Sequence, residues 1–496
     1  MFAASLFSRL IGRALPRAQA AHERLPNLQA LPILSSDALS SVAYATEASL
    51  GVLILAGSSA LKQSLPITLA IIALIVIVVL SYRQAISAYP NGGGSYVVAR
   101  ENLGRNVSLV AAAALLIDYT LTAAVSLMAG TQALSSLLPS LLPHELSLSL
   151  LLLALVGWAN LRGLREAGRV FAIPTYVFVG MILLLTLVGV SDLSFQHGWT
   201  PEPPPLEAAL QPLGLFLILR AFSSGCSAMT GIEAISTGVQ VFREPAARNA
   251  RLTLLVMGGL LAAMLLAVTG LGFMYGIAPN PQVTVLAQIG IRVFGSGSIL
   301  FWLLQLSTLL ILVLAANTAF AGFPLLAAML AEDRCLPPQM RWLGDRLVYQ
   351  NGIGVLLAVS ALIIWICHGD TTVAVNLYAL GVFTAFTLSQ LGLVLHWWRL
   401  RGPGWQGRMA LNALGAFSTF VVLLVIIVSK FTEGAWTVVI ALPLVVWGLA
   451  LIRRRSREVQ GLLAPDPCME PLFLKPIASP SRHHAIVWLA GLNQPS

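Results

Sequence analysis

Charge is scarce in this chain. Of its 496 residues only 10% are Asp, Glu, Lys or Arg, while 57% are hydrophobic. A water-soluble core of this size needs a charged shell, and the shell is missing. Cysteine is almost absent as well: Cys226, Cys335, Cys367 and Cys468 stand far apart with no Cys-x-x-Cys pair. Neither a disulfide framework nor a thiolate metal site is expected from that pattern. The seven histidines do not cluster, apart from His483–His484. There is no G-x-x-x-x-G-K loop, zinc signature or hydrolase triad, so the chain reads as no enzyme and as needing no cofactor. The opening "MFAASLFSRLIGRALPR" lacks a charged start followed by an unbroken apolar run, so it is not read as a signal peptide.

What the chain does have is long hydrophobic runs. About twenty apolar residues cross a ~30 Å hydrocarbon layer as helix, and the runs predict twelve spans: 34–57, 66–88, 105–137, 147–161, 169–190, 210–241, 252–276, 296–330, 352–368, 372–396, 409–429 and 434–452. In lipid the backbone must satisfy itself, so the fold class is an all-α membrane bundle. A β-barrel would show short alternating segments, and none are present. The connectors alternate in charge, and 25 of the 29 basic residues fall on one side. Lys62 and Lys430, with Arg220 and Arg292 near span starts, remain for the other. The positive-inside rule then makes both termini cytoplasmic, in a multi-pass protein of a cell inner membrane or plasma membrane. The same asymmetry accounts for the net charge of +9, so no nucleic-acid partner is needed to explain it.

Three regions follow: a cytoplasmic N-terminal segment (1–32), a transmembrane domain (33–452) in contact with the lipid bilayer, and a cytoplasmic tail (453–496). Phe7, Leu10, Ile11 and Ala14 against Arg9, Arg13 and Arg17 fit either a short basic amphipathic helix or a frayed tail. The glycine run "PNGGGSY" at 90–96 lacks a following Lys-Ser/Thr and reads as a tight loop at membrane level rather than a phosphate cradle.

Ionisable side chains deep in a span cost at least ~2.5–3.5 kcal/mol on insertion scales, so each asks for a reason. Asp37 lies in "SSDALSS". It fits an interfacial N-cap, but Ser40, Ser41 and Tyr44 share its helical face, and the cluster could unwind the span midway. Glu47 fits an outer mouth or a structural pair. Asp118, Thr122 and Ser126 recur every four residues with Tyr119 beside them. Interhelical hydrogen bonding explains the hydroxyls but not the acid. Glu233 follows Gly225, Thr230 and Gly231 in a span whose small residues also fit a packing face. Tyr378, beside Asn376, is either an interfacial anchor or a further ligand. Two polar-loaded, interrupted spans, the first and the sixth, match a 5+5 inverted repeat with two extra helices, a LeuT-like arrangement that binds at the midplane. No glycine occupies 35–50, where a carboxylate substrate would want backbone N–H groups; Asp37 stands there instead. The acids attract a cation, and the hydroxyls can replace the water around a weakly hydrated one. Missing sulfur and imidazole argue against soft transition metals, and reluctant dehydration against magnesium. Size alone does not separate potassium from sodium or a small amine.

"SSDALSSVAYATEA", "YPNGGGSYVVARENLG", "DYTLTAAVSLMAG", "SGCSAMTGIEAIS" and "KFTEGAW" closely resemble KimA-type potassium transporters of the amino acid–polyamine–organocation superfamily, from about residue 30 to 450. The resemblance implies a LeuT-like fold, potassium uptake by proton symport and a homodimer. It implies potassium ligands at Asp37, Tyr44, Asp118, Tyr119, Thr122, Ser126, Thr230 and Tyr378, and proton coupling at Glu233. From burial alone, Glu233 or Asp118 is the expected proton carrier. Family members also carry a cytoplasmic C-terminal domain that dimerises and responds to cyclic di-AMP. Here "RHHAIVWLAGLNQPS" resembles only its opening strand and turn, which puts dimer formation and cyclic di-AMP control in doubt. The alternatives are an amino acid or organic amine transporter on the same scaffold, a passive potassium leak, or a sensor that does not cycle.

Overall fold

Amides inside hydrocarbon have no water to bond, so long apolar runs close their hydrogen bonds within helices. The computed structural model describes residues 25–92, 94–162, 168–344, 346–431 and 435–462 and follows that rule. The N-terminal amphipathic segment, Cys468, the histidine pair and the tail resembling a regulatory domain lie outside the described residues. Among those described there is no strand, only the single bridges Leu25–Phe242 and Asn280–Val283. Eleven helical stretches among the described residues are long and apolar enough to span a bilayer. The expected ninth span is a shorter helix of 17 residues, roughly 25 Å long.

The first span is α1 (Asn27–Ser40) and α2 (Val42–Leu53). Then come α3 (Ser64–Ala88), the short α4 (Ser95–Asn102), α5 (Arg105–Leu137), α6 (Glu145–Leu161) and α7 (Gly168–Asp192). The sixth span is α8 (Leu215–Gly225), a 3-10 turn (Cys226–Met229) and α9 (Glu233–Thr237). The rest are α10 (Ala246–Met274), α11 (Val285–Phe294), α12 (Ile299–Glu332), α13 (Gln350–Ile366), α14 (Thr371–Leu400), α15 (Trp405–Lys430) and α16 (Ala435–Leu462). Two boundaries differ most from expectation. α1 begins before residue 34, behind Pro26. α16 continues past 452 because Arg453–Gln460 is a helix-favouring run, with an Arg454–Glu458 pair at 3.1 Å.

α5 packs chiefly on α12 and α14 and is among the most enclosed helices, whereas α16 is the least enclosed. Its exposed Leu444 and Trp447, like Leu187 of α7 and Phe417 of α15, present apolar surface outward, as a lipid solvent requires.

The two interruptions are unequal. In the first span Ser41 keeps helical angles (φ −61°, ψ −22°), so the expected unwinding is only a break in bonding. Hydroxyls take the local carbonyls: Ser40 Oγ donates to Asp37 O at 2.9 Å, and Ser41 Oγ reaches Ala38 O at 2.6 Å. Ser41 Oγ also reaches Ala228 O at 3.0 Å, which ties the first span to the sixth. The sixth span is unwound: Thr230 is extended (ψ 153°) and Gly231 is left-handed (φ 74°). A Cβ at 231 would lie 2.7 Å from both Asp37 Oδ2 and Ala38 N, so glycine is required by angle and by contact.

At the end opposite the basic connectors, the proline-rich segment 200–212 covers α2. Leu210 N and Gln211 N donate to Leu55 O at 2.8 and 2.9 Å. Ser58 Oγ donates to Pro205 O at 2.5 Å and accepts from Glu207 N at 2.7 Å. Glu202 N donates to Met274 O at 2.9 Å, and its carboxylate pairs with Arg292 at 2.5 Å.

Gly231→Ala is expected to lower stability by at least about 1 kcal/mol through its φ alone, with more from the collision. Gly259→Ala, which meets open space, is the control. Equal melting temperatures for the two variants in detergent would show that the break does not constrain the fold.

Candidate functional site

Asp37 sits in the third turn of α1, behind the helix start at Asn27, and is 5% exposed. That removes the interfacial N-cap explanation. Asp118 lies midway along α5 and is buried. Each has an Oδ1 atom buried with no hydrogen-bond partner. The two carboxylates lie close enough to repel. An ionised carboxylate so placed demands a cation, and a neutral one demands a proton.

Hydroxyls converge on the pair. Thr122, one turn beyond Asp118, has its Oγ1 2.6 Å from Tyr378 OH of α14. The Tyr378 hydroxyl is also within reach of Asp37 and Tyr44. Tyr44 OH lies 3.4 Å from Thr230 Oγ1, in the unwound part of the sixth span. Ser126, a further turn along α5, is buried. Spans one, three, six and ten thus supply the oxygens. The side chain of Asn376 lies outside the described residues. Gly381 of α14 permits the close approach: a Cβ there would be 3.0 Å from Ala114 O and 3.8 Å from Asp118 Cβ.

Tyr119 faces α12 and a neighbouring cavity. Its ring packs on Gly322 of α12, where an added Cβ would fall 2.5 Å from it. It lines a cavity of about 570 Å³ shared with Glu233, Thr237, Gln240 and Tyr89 and extending to Glu101 and Glu332 at the basic end.

Glu233 is the acid that the structure sets apart. Its Oε1 accepts from Ser95 N at 2.6 Å; its Oε2 accepts from Ser95 Oγ at 2.7 Å and Tyr82 OH at 3.0 Å. Ser95 opens α4, so a carboxylate from the sixth span caps that helix, where the backbone dipole favours negative charge. The glycine run makes this possible: a Cβ on Gly94 would lie 3.1 Å from Glu233 Oε1. α4 is held further along by Asp333, just beyond α12. Tyr96 OH donates to Asp333 Oδ2 at 2.5 Å and Arg100 Nη1 does so at 2.7 Å. Burial, and then the Asp333 carboxylate, push the Tyr96 phenol up, so it stays protonated and donates.

Glu47 accepts from Val285 N at 3.3 Å, and Thr284 Oγ1 accepts from Ala287 N at 3.2 Å; together they cap α11. Glu47 is therefore structural. Lys430 is fully buried rather than at a surface, its Nζ without a hydrogen-bond partner among the described residues, and nothing in the structure explains it. Cys226, Cys335 and Cys367 are unpaired. Tyr82 and Ser95 were not expected at the site. Their only sequence signal is a tyrosine in an oily span and a serine closing a glycine run.

The sequence profile of the amino acid permease family matches residues 33–450. The potassium transporter KimA of Bacillus subtilis (strain 168) is 44% identical over 440 residues, which cover 88% of this chain and 72% of the relative.

Ser95→Ala is expected to cost about 1.5–3 kcal/mol, the range for a bond to a charged acceptor, and Tyr82→Phe a similar amount. Thermal melting of the purified protein checks this. A Ser95→Ala variant as stable as the parent would show that the Ser95 hydroxyl adds nothing to the hold on Glu233, whose bond to Ser95 N the variant keeps.

Proposed function

The chain belongs to the KimA-type potassium transporters of the amino acid–polyamine–organocation superfamily, and from that premise we propose that its own cargo is potassium, bound between Asp37 and Asp118. It is a membrane transporter, not an enzyme. The observation that carries the reading is the pair of buried carboxylates, each with an unpartnered oxygen, beside the hydroxyls of Tyr44, Thr122, Thr230 and Tyr378. Hydroxyl oxygens substitute for the hydration shell of a large monovalent cation, and the carboxylates balance its charge. Ser126 extends the set along α5. Tyr119 joins it from the side of the inner cavity.

A 100 mV interior-negative potential supplies about 2.3 kcal/mol per charge, or about fifty-fold accumulation of one cation. Uptake beyond that needs a second driving ion, and a proton on Glu233 is the economical choice. A proton there removes the anion that caps α4 and loosens the helix that borders the cavity. Asp118 is the alternative carrier. The cavity reaches Glu233 and Tyr119 from the basic end, which the positive-inside rule assigns to the cytoplasm. Segment 200–212 covers the opposite end. This geometry suits the inward-open half of an alternating-access cycle, with spans one and six as the interrupted helices of an inverted repeat.

Rubidium flux into reconstituted vesicles tests the proposal. Uptake should be competed by potassium and rise when the outside is made acidic. Asp118→Asn and Tyr378→Phe should each lower it at least about tenfold, a loss of roughly 1.4 kcal/mol or more in binding. Glu233→Gln should abolish the response to the pH gradient. If Asp118→Asn and Glu233→Gln both left pH-dependent uptake unchanged, the proton route would be wrong. The family profile's description favours a second reading, an amino acid or amine as cargo. Uptake of a labelled amine that potassium does not compete would establish it.

A further inference from the structure

A second cavity, of about 620 Å³, lies at the basic end between α4, the start of α5, the end of α12 and α16. Five arginines line it: Arg100, Arg105, Arg334, Arg453 and Arg457. Three acids line it too, but they do not cancel the charge. Asp333 is taken by Arg100 and Tyr96. Glu101 and Glu332 are exposed. Among the described residues, Arg105, Arg334, Arg453 and Arg457 form no ion pair with a carboxylate.

Arg453 matters most. It is the first charge after the apolar run of α16, yet it turns inward and is 9% exposed, while its neighbours Arg454 and Arg455 are exposed. Its one hydrogen bond is long, 3.5 Å from Nη1 to Arg105 O. A buried guanidinium whose partner is another arginine's carbonyl lacks, among the described residues, the counter-ion that burial demands. The start of α5 adds to the same field. Gly104 offers no capping side chain, and no acid occupies the first turn of that 33-residue helix.

We propose that this cavity binds a phosphate ester, the headgroup phosphate of an anionic phospholipid. Guanidinium groups match phosphate geometry, and a set of them on several helices holds it from several sides. Arg453 and Arg457 follow directly on a membrane-crossing helix that is itself mostly exposed to lipid. The cavity therefore opens at the depth where headgroups lie, in the manner of basic pockets between membrane helices. The proposal stands apart from the cargo, because none of these arginines touches the Asp37–Asp118 pocket.

The test is the melting temperature of the purified full chain in detergent, with phosphatidylglycerol, phosphatidylcholine or glycerol 3-phosphate added. Phosphatidylglycerol should raise it by several degrees more than phosphatidylcholine does. Arg105→Gln and Arg453→Gln should lose most of that increment, and the exposed Arg455→Gln should keep it. Because Arg453 is buried and its variant can lose the fold, Arg457→Gln at the rim provides the same reading with less risk. An equal response to glycerol 3-phosphate supports the site and identifies a soluble phosphate ester as its occupant. An increment that survives in both Arg105→Gln and Arg457→Gln, or that phosphatidylcholine reproduces, overturns the proposal.

Discussion

A carboxylate oxygen with no partner, sealed inside a helical bundle, fixes what else the bundle must contain. Asp37 and Asp118 each have one. Ionised and alone they would cost several kcal/mol apiece, so the surrounding structure has to welcome a cation or a proton. The unwound part of the sixth span brings Thr230 to Tyr44 and lets Gly231 press against Asp37. Gly381 lets the tenth span close on α5 so that Tyr378 can meet Thr122. These backbone departures bring oxygen to two acids, and each uses glycine where a side chain would hold the helices apart.

The third acid belongs to a different arrangement. Glu233 begins the last part of the sixth span, and its carboxylate is the N-terminal cap of α4. α4 is also clasped to Asp333, through Tyr96 in its first turn and Arg100 one turn further on. One short helix thus connects the centre of the bundle with its basic end. A change of charge at Glu233 has a mechanical path outward, and the cavity that Glu233 lines gives water a way to it.

Local cost was legible in the sequence, and partnership was not. Asp37, Asp118 and Glu233 stand out because hydrocarbon penalises them wherever their neighbours lie. Thr122 and Ser126 follow from helical spacing. What could not be read was pairing across long chain separations. Ser95 and Tyr82 gain meaning only when folding brings them to Glu233. The glycine run read as a tight loop gave no hint that it feeds a capped helix. Glu47 fitted either an outer mouth or a structural pair, and only the connector before α11, folding back onto the first span, makes it the cap of α11. The seven-residue error at the start of α1 came from treating polar residues as an interface. They sit in the interior, and the helix starts earlier to carry them there.

The proline-rich segment over α2 is fastened to the end of the first span by Leu55, to the turn that follows it by Ser58, to α10 by Met274 and to α11 by Arg292. Four attachments to three separate helices make it a brace, not slack. In the proposed cycle, outward opening would have to peel this brace away as a unit, so a surface connector remote from the ion would govern the return stroke. For the same reason this connector is a poor place to graft an epitope, whereas an antibody raised against it would report which way the carrier faces.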